Sequence, residues 1–283
     1  MLGELPGILD LEAVGEDAWR GWTPPGTGRS DIFGGQVASQ ALRAAGFTVP
    51  PDRLPNSVHG YFLRRGQASA PLEFFVERLR SGRTYTARRV DVRQDGKTIF
   101  AMLASFHTEE PSREFDHPMP DGVPDPDELP ASDDANPWHR SFEVRRVRVE
   151  GPIVRWWGRV PEALPPDALL HSCALLYASD MRAGGAAMAA IGYGHLDRLE
   201  SVAPGHPRGN FGSLDHAVWF HRAPDVNRWF FCDVTPLTVR DSRGLVVGRM
   251  FDREGQHLAT FTQEMFLKGP DGPPGAAGGP QTP

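Results

Sequence analysis

A carboxylate, Asp180, closes the stretch of sequence that is best suited to chemistry. Residues 167–180 are rich in helix formers and contain neither Gly nor Pro. Apolar residues recur along this stretch at a spacing of three and four, at Leu169, Leu170, Cys173, Leu176 and Tyr177. Asp180 therefore falls on the apolar side of the predicted helix, where a carboxylate is costly to bury without partners. Either the helix ends near Ser179 and Asp180 is solvated, or Asp180 is a buried carboxylate that does chemistry.

An internal repeat points to two further polar residues. Three segments of the first half align in order with three of the second: 37–40 with 177–180, 56–65 with 213–222, and 94–100 with 253–259. The alignment sets Asp180 against Gln40, Ser213 against Asn56, and Gln263 against Ala104. The repeat predicts a duplicated domain. The asymmetry predicts one working site per chain, although drift without function would leave the same differences.

Asp180, Ser213 and Gln263 are together suited to holding and activating a water molecule. Gln263 lies on the apolar face of the predicted strand 257–268, because alternate residues of a strand face the same side. The sequence has no Gly-x-Ser-x-Gly motif and no His paired with these residues, so a nucleophilic serine triad is not indicated. We expect Asp180 to accept a proton from the water while Ser213 and Gln263 orient it.

A helix with a glycine-rich start is predicted over residues 33–45. Gly34 and Gly35 at its N-terminus would expose backbone N–H groups to a ligand, and such groups would stabilise an oxyanion. The stretch is not a phosphate-binding loop, because the Lys-Ser/Thr signature is missing. Together with Gln36, these glycines are the substrate-binding candidates.

Long alternating runs surround this helix in the sequence. They are Val58–Leu63, Leu72–Leu79, Thr84–Arg93, Thr98–His107, Ser141–Trp157, Leu214–His221, Trp229–Leu237, Gly244–Phe251 and His257–Lys268. Turn signals at 94–97 and 253–255 join neighbouring strands into hairpins. Residues 184–207 are rich in Gly and Ala and fit no element. The pattern predicts an α+β fold in which an antiparallel sheet wraps a long helix in each half.

Composition divides the chain into four parts. Residues 8–107 and 140–268 are the two repeats, and the second carries the catalytic candidates. Residues 108–139 form a Pro-rich linker, with ten acidic residues and one Arg between positions 109 and 134. Residues 269–283 are a Gly- and Pro-rich tail, for which we predict disorder.

The bulk properties favour a soluble cytoplasmic protein. No apolar run approaches the roughly 20 residues that span a bilayer, and the N-terminus lacks the features of a signal peptide. The two cysteines, Cys173 and Cys232, cannot build a disulfide framework, which fits a reducing compartment. The net charge of −6 gives no indication of a nucleic-acid partner.

The histidines predict neither a metal nor a cofactor. His216 and His221 are five residues apart on a predicted strand, so they face opposite ways. Asp215 and His216 are adjacent, which invites a catalytic interpretation. We interpret one of them as structural and the other as lying on the far face, because adjacent strand residues diverge.

Several motifs together resemble the acyl-CoA thioesterase II family. They are Phe33–Val37, His59–Arg64, Arg88–Val90, Ala104–Phe106, Tyr177–Asp180, Ser213–His221 and Thr262–Glu264, in order across most of residues 8–268. The resemblance implies a double hot-dog fold and hydrolysis of acyl-CoA to fatty acid and CoA. The family often assembles into homo-oligomers, and the oligomeric state of this chain stays open. In that family an Asp, a Ser or Thr, and a Gln activate the water, roles that fall here on Asp180, Ser213 and Gln263.

Two other functions remain open at this point. The motif of the hot-dog enoyl-CoA hydratases is an Asp followed five residues later by a His. In this sequence the residue five positions after Asp180 is Gly185, which counts against that function. A non-catalytic acyl-CoA-binding protein would keep the fold without turnover, but the presence of all three polar residues argues against it. The stretch 181–207 is longer than the family pattern and leaves the acyl chain length open.

Overall fold

A single large sheet and four helices make up the part of the chain that the computed structural model describes, residues 5–25, 30–132, 136–192 and 210–268. The helices are α1 (Leu5–Leu9), α2 (Gly34–Gly46), α3 (Ala168–Ser179) and α4 (Ala183–Ala190). The first half contributes β1 (Glu12–Gly15), β2 (Ala18–Gly21), β3 (Leu54–Phe62), β4 (Leu72–Ser81), β5 (Tyr85–Gln94) and β6 (Lys97–His107). The second half contributes β7 (Glu143–Val147), β8 (Val154–Arg159), β9 (Asn210–Ser213), β10 (Asp215–Phe220), β11 (Phe230–Arg240), β12 (Arg243–Asp252) and β13 (His257–Lys268).

The strand order repeats about the centre of the sheet. It runs β1-β2-β4-β5-β6-β3-β10-β13-β12-β11-β8-β7, with β9 added on β13, and neighbouring strands are antiparallel. Outward from the β3–β10 junction, each half shows the same succession of strands. The two halves are therefore duplicates joined side by side, with Val58 facing Val218 at the junction. This is a double hot-dog fold, as predicted.

Helices α2 and α3 lie antiparallel and very close, because glycines stand where they touch. The Arg43 guanidinium, near the end of α2, pairs with the Asp167 carboxylate at the start of α3 at 2.6 Å. At the opposite end, a Cβ on Gly35 would lie 2.7 Å from the Tyr177 carbonyl oxygen. A Cβ on Gly46 would lie 2.2 Å from the Leu169 side chain. A larger residue at Gly35 would push the helix backbones apart, whereas one at Gly46 would require the Leu169 side chain to move.

Helix α3 has clear ends in both sequence and structure. The Asp167 side chain caps its N-terminus by accepting the N–H groups of Leu169 and Leu170 at 3.0 and 3.1 Å. The helix ends at Ser179, and Asp180 is its C-cap residue. Arg182 then adopts a left-handed conformation, with φ of 62°, before α4 begins. The turn between the helices therefore holds Asp180 in place.

Two of the sequence interpretations need correction. The run Ser141–Trp157 is not one strand but β7 and the start of β8, separated by a turn in which Gly151 has φ of 78°. The alignment of 56–65 with 213–222 is wrong by one residue. The N–H groups of Leu63 and Arg64 donate to the Ile99 carbonyl, as those of His221 and Arg222 do to the Leu258 carbonyl.

This shift matters because a change of one residue in the alignment assigns every side chain of the strand to the opposite face of the sheet. With Arg64 equivalent to Arg222, the buried residue Val58 corresponds to the buried residue His216, while His59 is exposed. The predicted equivalence of Gln263 and Ala104 in the two halves is unchanged by this correction.

The acidic linker lies against the outer face of the second half. Arg222 forms ion pairs with Glu114 and Asp116 at 3.0 and 2.6 Å, and Arg253 pairs with Asp125 and Asp127. Linker residues Met119, Val123 and Leu129 pack on a buried cluster of Trp157, Trp229, Phe231, Phe251 and Val147. The predicted tail, residues 269–283, and most of the stretch 184–207 lie outside the described residues.

Candidate active site

Asp180 is a buried carboxylate held by both halves of the molecule. The helix ends at Ser179, but the Asp180 side chain turns inward, and the residue is only 9% exposed. The Gly35 N–H, in the first turn of α2, donates to its Oδ2 at 2.7 Å. The Gln263 Nε2, on β13, donates to its Oδ1 at 2.7 Å. The two donors stabilise the ionised carboxylate and fix both of its oxygens.

Gln263 connects Asp180 to Ser213. Its amide nitrogen donates one proton to Asp180 and the other to the Ser213 Oγ at 2.5 Å. Ser213 is the last residue of β9 and pairs with Met265, so it reaches the same inward face as Gln263. The structure thus brings together Asp180, Ser213 and Gln263, which come from a helix end and two different strands.

This arrangement leaves the right groups free for a water molecule. Because Ser213 Oγ accepts from Gln263, its own proton remains available to donate elsewhere. Each carboxylate oxygen of Asp180 accepts a hydrogen bond from the protein, and its second lone pair can accept a proton from a further ligand. The cluster therefore offers one hydroxyl donor and one carboxylate acceptor side by side, which is what a general base site needs.

Comparison with known families agrees with the motifs. A model of the acyl-CoA thioesterase N-terminal domain matches residues 21–107, and a model of the acyl-CoA thioesterase C-terminal domain matches residues 114–267. The chain belongs to the acyl-CoA thioesterase family. The resemblance inferred from the motifs is thereby confirmed.

Individual thioesterases match over nearly the whole chain. Acyl-CoA thioesterase 2 of Haemophilus influenzae is 31% identical and covers 95% of this chain and 98% of its own length. Acyl-coenzyme A thioesterase 8 of Mus musculus is 32% identical, covering 92% of this chain and 88% of its own. The crystal structure of an acyl-CoA thioesterase II from Mycobacterium marinum superposes with a TM-score of 0.80 at 34% identity, covering 94% of this chain and 98% of that one.

The three residues proposed to bind substrate in this thioesterase occupy different positions. A Cβ on Gly34 would lie 2.8 Å from the Asp180 Oδ2, so Gly34 borders the carboxylate closely. Gly35 uses its N–H to hold Asp180. The Gln36 side chain is buried, and its amide nitrogen lies 3.1–3.3 Å from the Trp22 carbonyl, Thr23 Oγ1 and Gln40 Oε1. Gln36 therefore holds the segment before α2 with its side chain.

Sequence reasoning missed the role of His216 and Ser179. His216 is buried beside Gln263, and its Nε2 lies 2.7 Å from the Ser179 Oγ. The adjacent Asp215 is half-buried, and its carboxylate accepts the Glu264 N–H at 2.8 Å. The pKa of His216 is lowered because the side chain is buried, against the opposing effect of Asp180, Asp215 and Gln263. Correct registration of the repeat would have placed His216 on the inner face.

Neither a metal centre nor a membrane span is found in the described ranges. No group of three or more His, Cys, Asp or Glu side chains in them is placed to hold a metal ion. None of the helices α1 to α4 is long and apolar enough to cross a bilayer.

Proposed function

We propose that this protein hydrolyses fatty acyl-CoA to a fatty acid and CoA, with Asp180 as the general base. The observation that carries the proposal is the cluster of Asp180, Gln263 and Ser213 at the N-terminus of α2. Membership of the acyl-CoA thioesterase family supports the reaction and the substrate class. The cluster supports the assignment of roles to individual residues.

In the proposed mechanism a water molecule accepts a hydrogen bond from the Ser213 hydroxyl and donates one to the Asp180 carboxylate. As the water oxygen attacks the thioester carbonyl carbon, its proton passes to Asp180, and the carbonyl oxygen becomes an oxyanion. The tetrahedral intermediate then collapses. The carbon–sulfur bond breaks, the CoA sulfur takes up the proton from Asp180, and the fatty acid leaves.

The start of α2 supplies the positive potential for this oxyanion. The first N–H groups of a helix have no acceptor within the helix, and the helix dipole adds partial positive charge there. Gly35 directs its N–H to Asp180. We assign oxyanion stabilisation to the neighbouring N–H groups of the first turn, at Gly34 and Gln36, because they flank the N–H that holds Asp180.

The test is the release of free thiol from acyl-CoAs of increasing chain length by wild type and Asp180→Asn. We expect the substitution to lower kcat by a factor on the order of 10²–10⁴, as for loss of a general base. A thioether analogue of acyl-CoA, which cannot be hydrolysed, should still bind the variant. Wild-type rates in a folded Asp180→Asn protein would refute the mechanism. A wild-type protein that binds the analogue but hydrolyses no acyl-CoA would instead be a binding protein.

A further inference from the structure

A buried serine and a buried histidine lie directly behind the site and have no part in the mechanism above. The His216 Nε2 is 2.7 Å from the Ser179 Oγ, and both residues are at most 2% exposed. Ala217 of β10 pairs with Thr262 of β13 in an antiparallel register, so the neighbouring residue His216 lies opposite Gln263. Its Nδ1 and the Gln263 Oε1 are buried, and within the described ranges neither atom has a hydrogen-bond partner.

The hydrogen-bond needs of Gln263 identify which nitrogen of His216 carries a proton. Both N–H protons of the Gln263 amide are used by Asp180 and Ser213, so its Oε1 needs a donor. An imidazole protonated on Nε2 alone would leave Nδ1 without a proton and bury two unpaired acceptors on facing side chains, which is unfavourable. An imidazole protonated on Nδ1 offers a donor to that oxygen, and one hydrogen bond between the two atoms would satisfy both.

The Ser179 hydroxyl completes this arrangement. Its single proton has two acceptors within reach, the Leu176 carbonyl at 2.8 Å and the His216 Nε2 at 2.7 Å. A proton given to Nε2 leaves Nδ1 as the protonated nitrogen of a neutral ring. Burial lowers the pKa of His216, which favours the neutral ring.

We propose that His216 is a positioning residue that fixes the side-chain amide of Gln263 through a chain of hydrogen bonds. The Ser179 hydroxyl donates to His216 Nε2, and His216 Nδ1–H donates to Gln263 Oε1. The Gln263 Nε2–H groups then donate to Asp180 and Ser213. The chain prevents the Gln263 amide from flipping. A flipped amide would turn its oxygen towards the Asp180 carboxylate and repel it. The proposal rests on the proposed function, since its consequence is measured in catalysis.

The first half of the molecule shows what the same positions contain without a site. The counterparts of His216 and Gln263 are Val58 and Ala104, which face each other across β3 and β6. The serine remains, as Ser39, fully buried with its hydroxyl unpartnered within the described ranges. The polar chain is therefore a feature of the half that carries the carboxylate, and the fold does not require it.

Two substitutions of His216 separate its two nitrogens. His216→Asn retains a donor where Nδ1 stands, while His216→Gln reaches the position of Nε2 and Ser179 but has no donor at Nδ1. We expect His216→Gln to lower kcat by roughly 10–100-fold, as for an amide held in the wrong orientation. His216→Asn should recover most of that loss, and KM should change less than kcat. Equal losses in both variants would overturn the proposal, because a space-filling role would not distinguish them.

A double-mutant cycle tests whether His216 acts through Gln263. In a Gln263→Ala background, His216→Gln should cost no further activity, because the amide that it positions is gone. Additive losses would show that His216 acts by another route and would overturn the proposal. Thermal unfolding of each variant separates lost stability from lost positioning.

A third measurement does not depend on turnover. In protein labelled with ¹⁵N-histidine, the resonances that disappear in His216→Asn belong to His216. We expect its Nδ1 to show the shift of a protonated nitrogen and its Nε2 that of an unprotonated one. A protonated Nε2 with a bare Nδ1 would contradict the proposal. Absence of acyl-CoA hydrolysis in wild type would refute the proposed function but leave this result interpretable.

Discussion

The two halves of this molecule share one fold and differ in the polar residues that lie between the helix and the sheet. In the second half, Asp180 ends a helix and contacts Gln263 from the sheet. In the first half, the aligned residue Gln40 donates to the Ile8 carbonyl at 2.7 Å, and Ala104 replaces Gln263. Helix α1 packs on α2 and α3 with Leu5 and Leu9 buried, so an N-terminal segment lies against this part of the first half.

On this account, one copy of the duplicated domain carries the proposed site, and the other copy uses its polar positions for structure. The proposed site still depends on both copies, because the Gly35 N–H of the first half donates to Asp180 of the second. Substitutions at equivalent or paired positions should therefore have opposite consequences, with activity lost on one side and stability lost on the other.

The largest effect after loss of Asp180 itself is expected at Gly35. An added Cβ would lie 2.7 Å from the backbone oxygen of Tyr177, which cannot move aside as a side-chain end can. Gly35→Ala should therefore displace the N–H that holds Asp180 and lower kcat by a factor on the order of 10²–10³. Gly46→Ala is the matched control at the other end of α2, where the Leu169 side chain can repack. Unchanged kcat in a folded Gly35→Ala protein would contradict this role.

Replacement of Gln263 should have a somewhat smaller effect. Gln263→Leu removes the donor to both Asp180 and Ser213, and we expect kcat to fall about 100-fold. The substitution at the equivalent position of the first half, Ala104→Gln, buries an amide without hydrogen-bond partners. It should lower the melting temperature and leave kcat within about threefold of wild type. A larger activity loss from Ala104→Gln than from Gln263→Leu would reverse the assignment of the halves.

Gln40 should behave as a structural residue. Gln40→Leu removes the donor to the buried Ile8 carbonyl, which we expect to cost about 1–3 kcal/mol of unfolding free energy. Urea denaturation measures this cost. The kcat of the folded variant should remain close to that of wild type. A large loss of kcat with unchanged stability would show that the first half contributes chemistry at this position as well.

The smallest effect concerns pH and the outer face of the second half. His257 stacks on Phe251 and lies 4.5 Å from His221, between ring centroids. Burial, followed by the charge of His221, lowers the pKa of His257 from 6.5 to about 4. Between these pH values the unfolded chain binds a proton that the folded protein does not, so stability should fall as pH drops from 6.5 to 4.

His257→Asn should flatten this pH dependence. The variant is expected to be less stable at neutral pH, because the stacking on Phe251 is lost, but its melting temperature should change less between pH 6.5 and 4. Thermal unfolding at several pH values in this range checks the expectation. An unchanged slope would assign the acid sensitivity to other groups.

The sequence predicted the main strands, both long helices and the three residues of the cluster. Alternation and turn chemistry sufficed for the hairpins, and the resemblance of motifs assigned Asp180, Ser213 and Gln263 their roles. The sequence did not predict the contacts between helix ends, such as Gly35 with Asp180, because these depend on how two helices pack. The β7–β8 turn was missed, since a single strand and a short hairpin share the same alternation.

The register of the repeat is the instructive error. Matching His59 to His216 gave two identical pairs, no more than the correct register gives, and it placed residues of opposite faces together. The hydrogen bonds to Ile99 and Leu258 set the correct alignment and made His216 equivalent to Val58. Burial of alternate residues, which only the folded sheet reveals, was needed to recognise the polar chain behind Gln263.

The most direct test of the account compares thiol release from acyl-CoA by wild type, Asp180→Asn and Gln40→Asn under the same conditions. The two variants change the aligned position of each half. We expect Asp180→Asn to lose activity by a factor on the order of 10²–10⁴ while Gln40→Asn retains it within a few-fold. Activity that survives in Asp180→Asn, or disappears equally in both folded variants, would contradict the claim that the working site belongs to the second half.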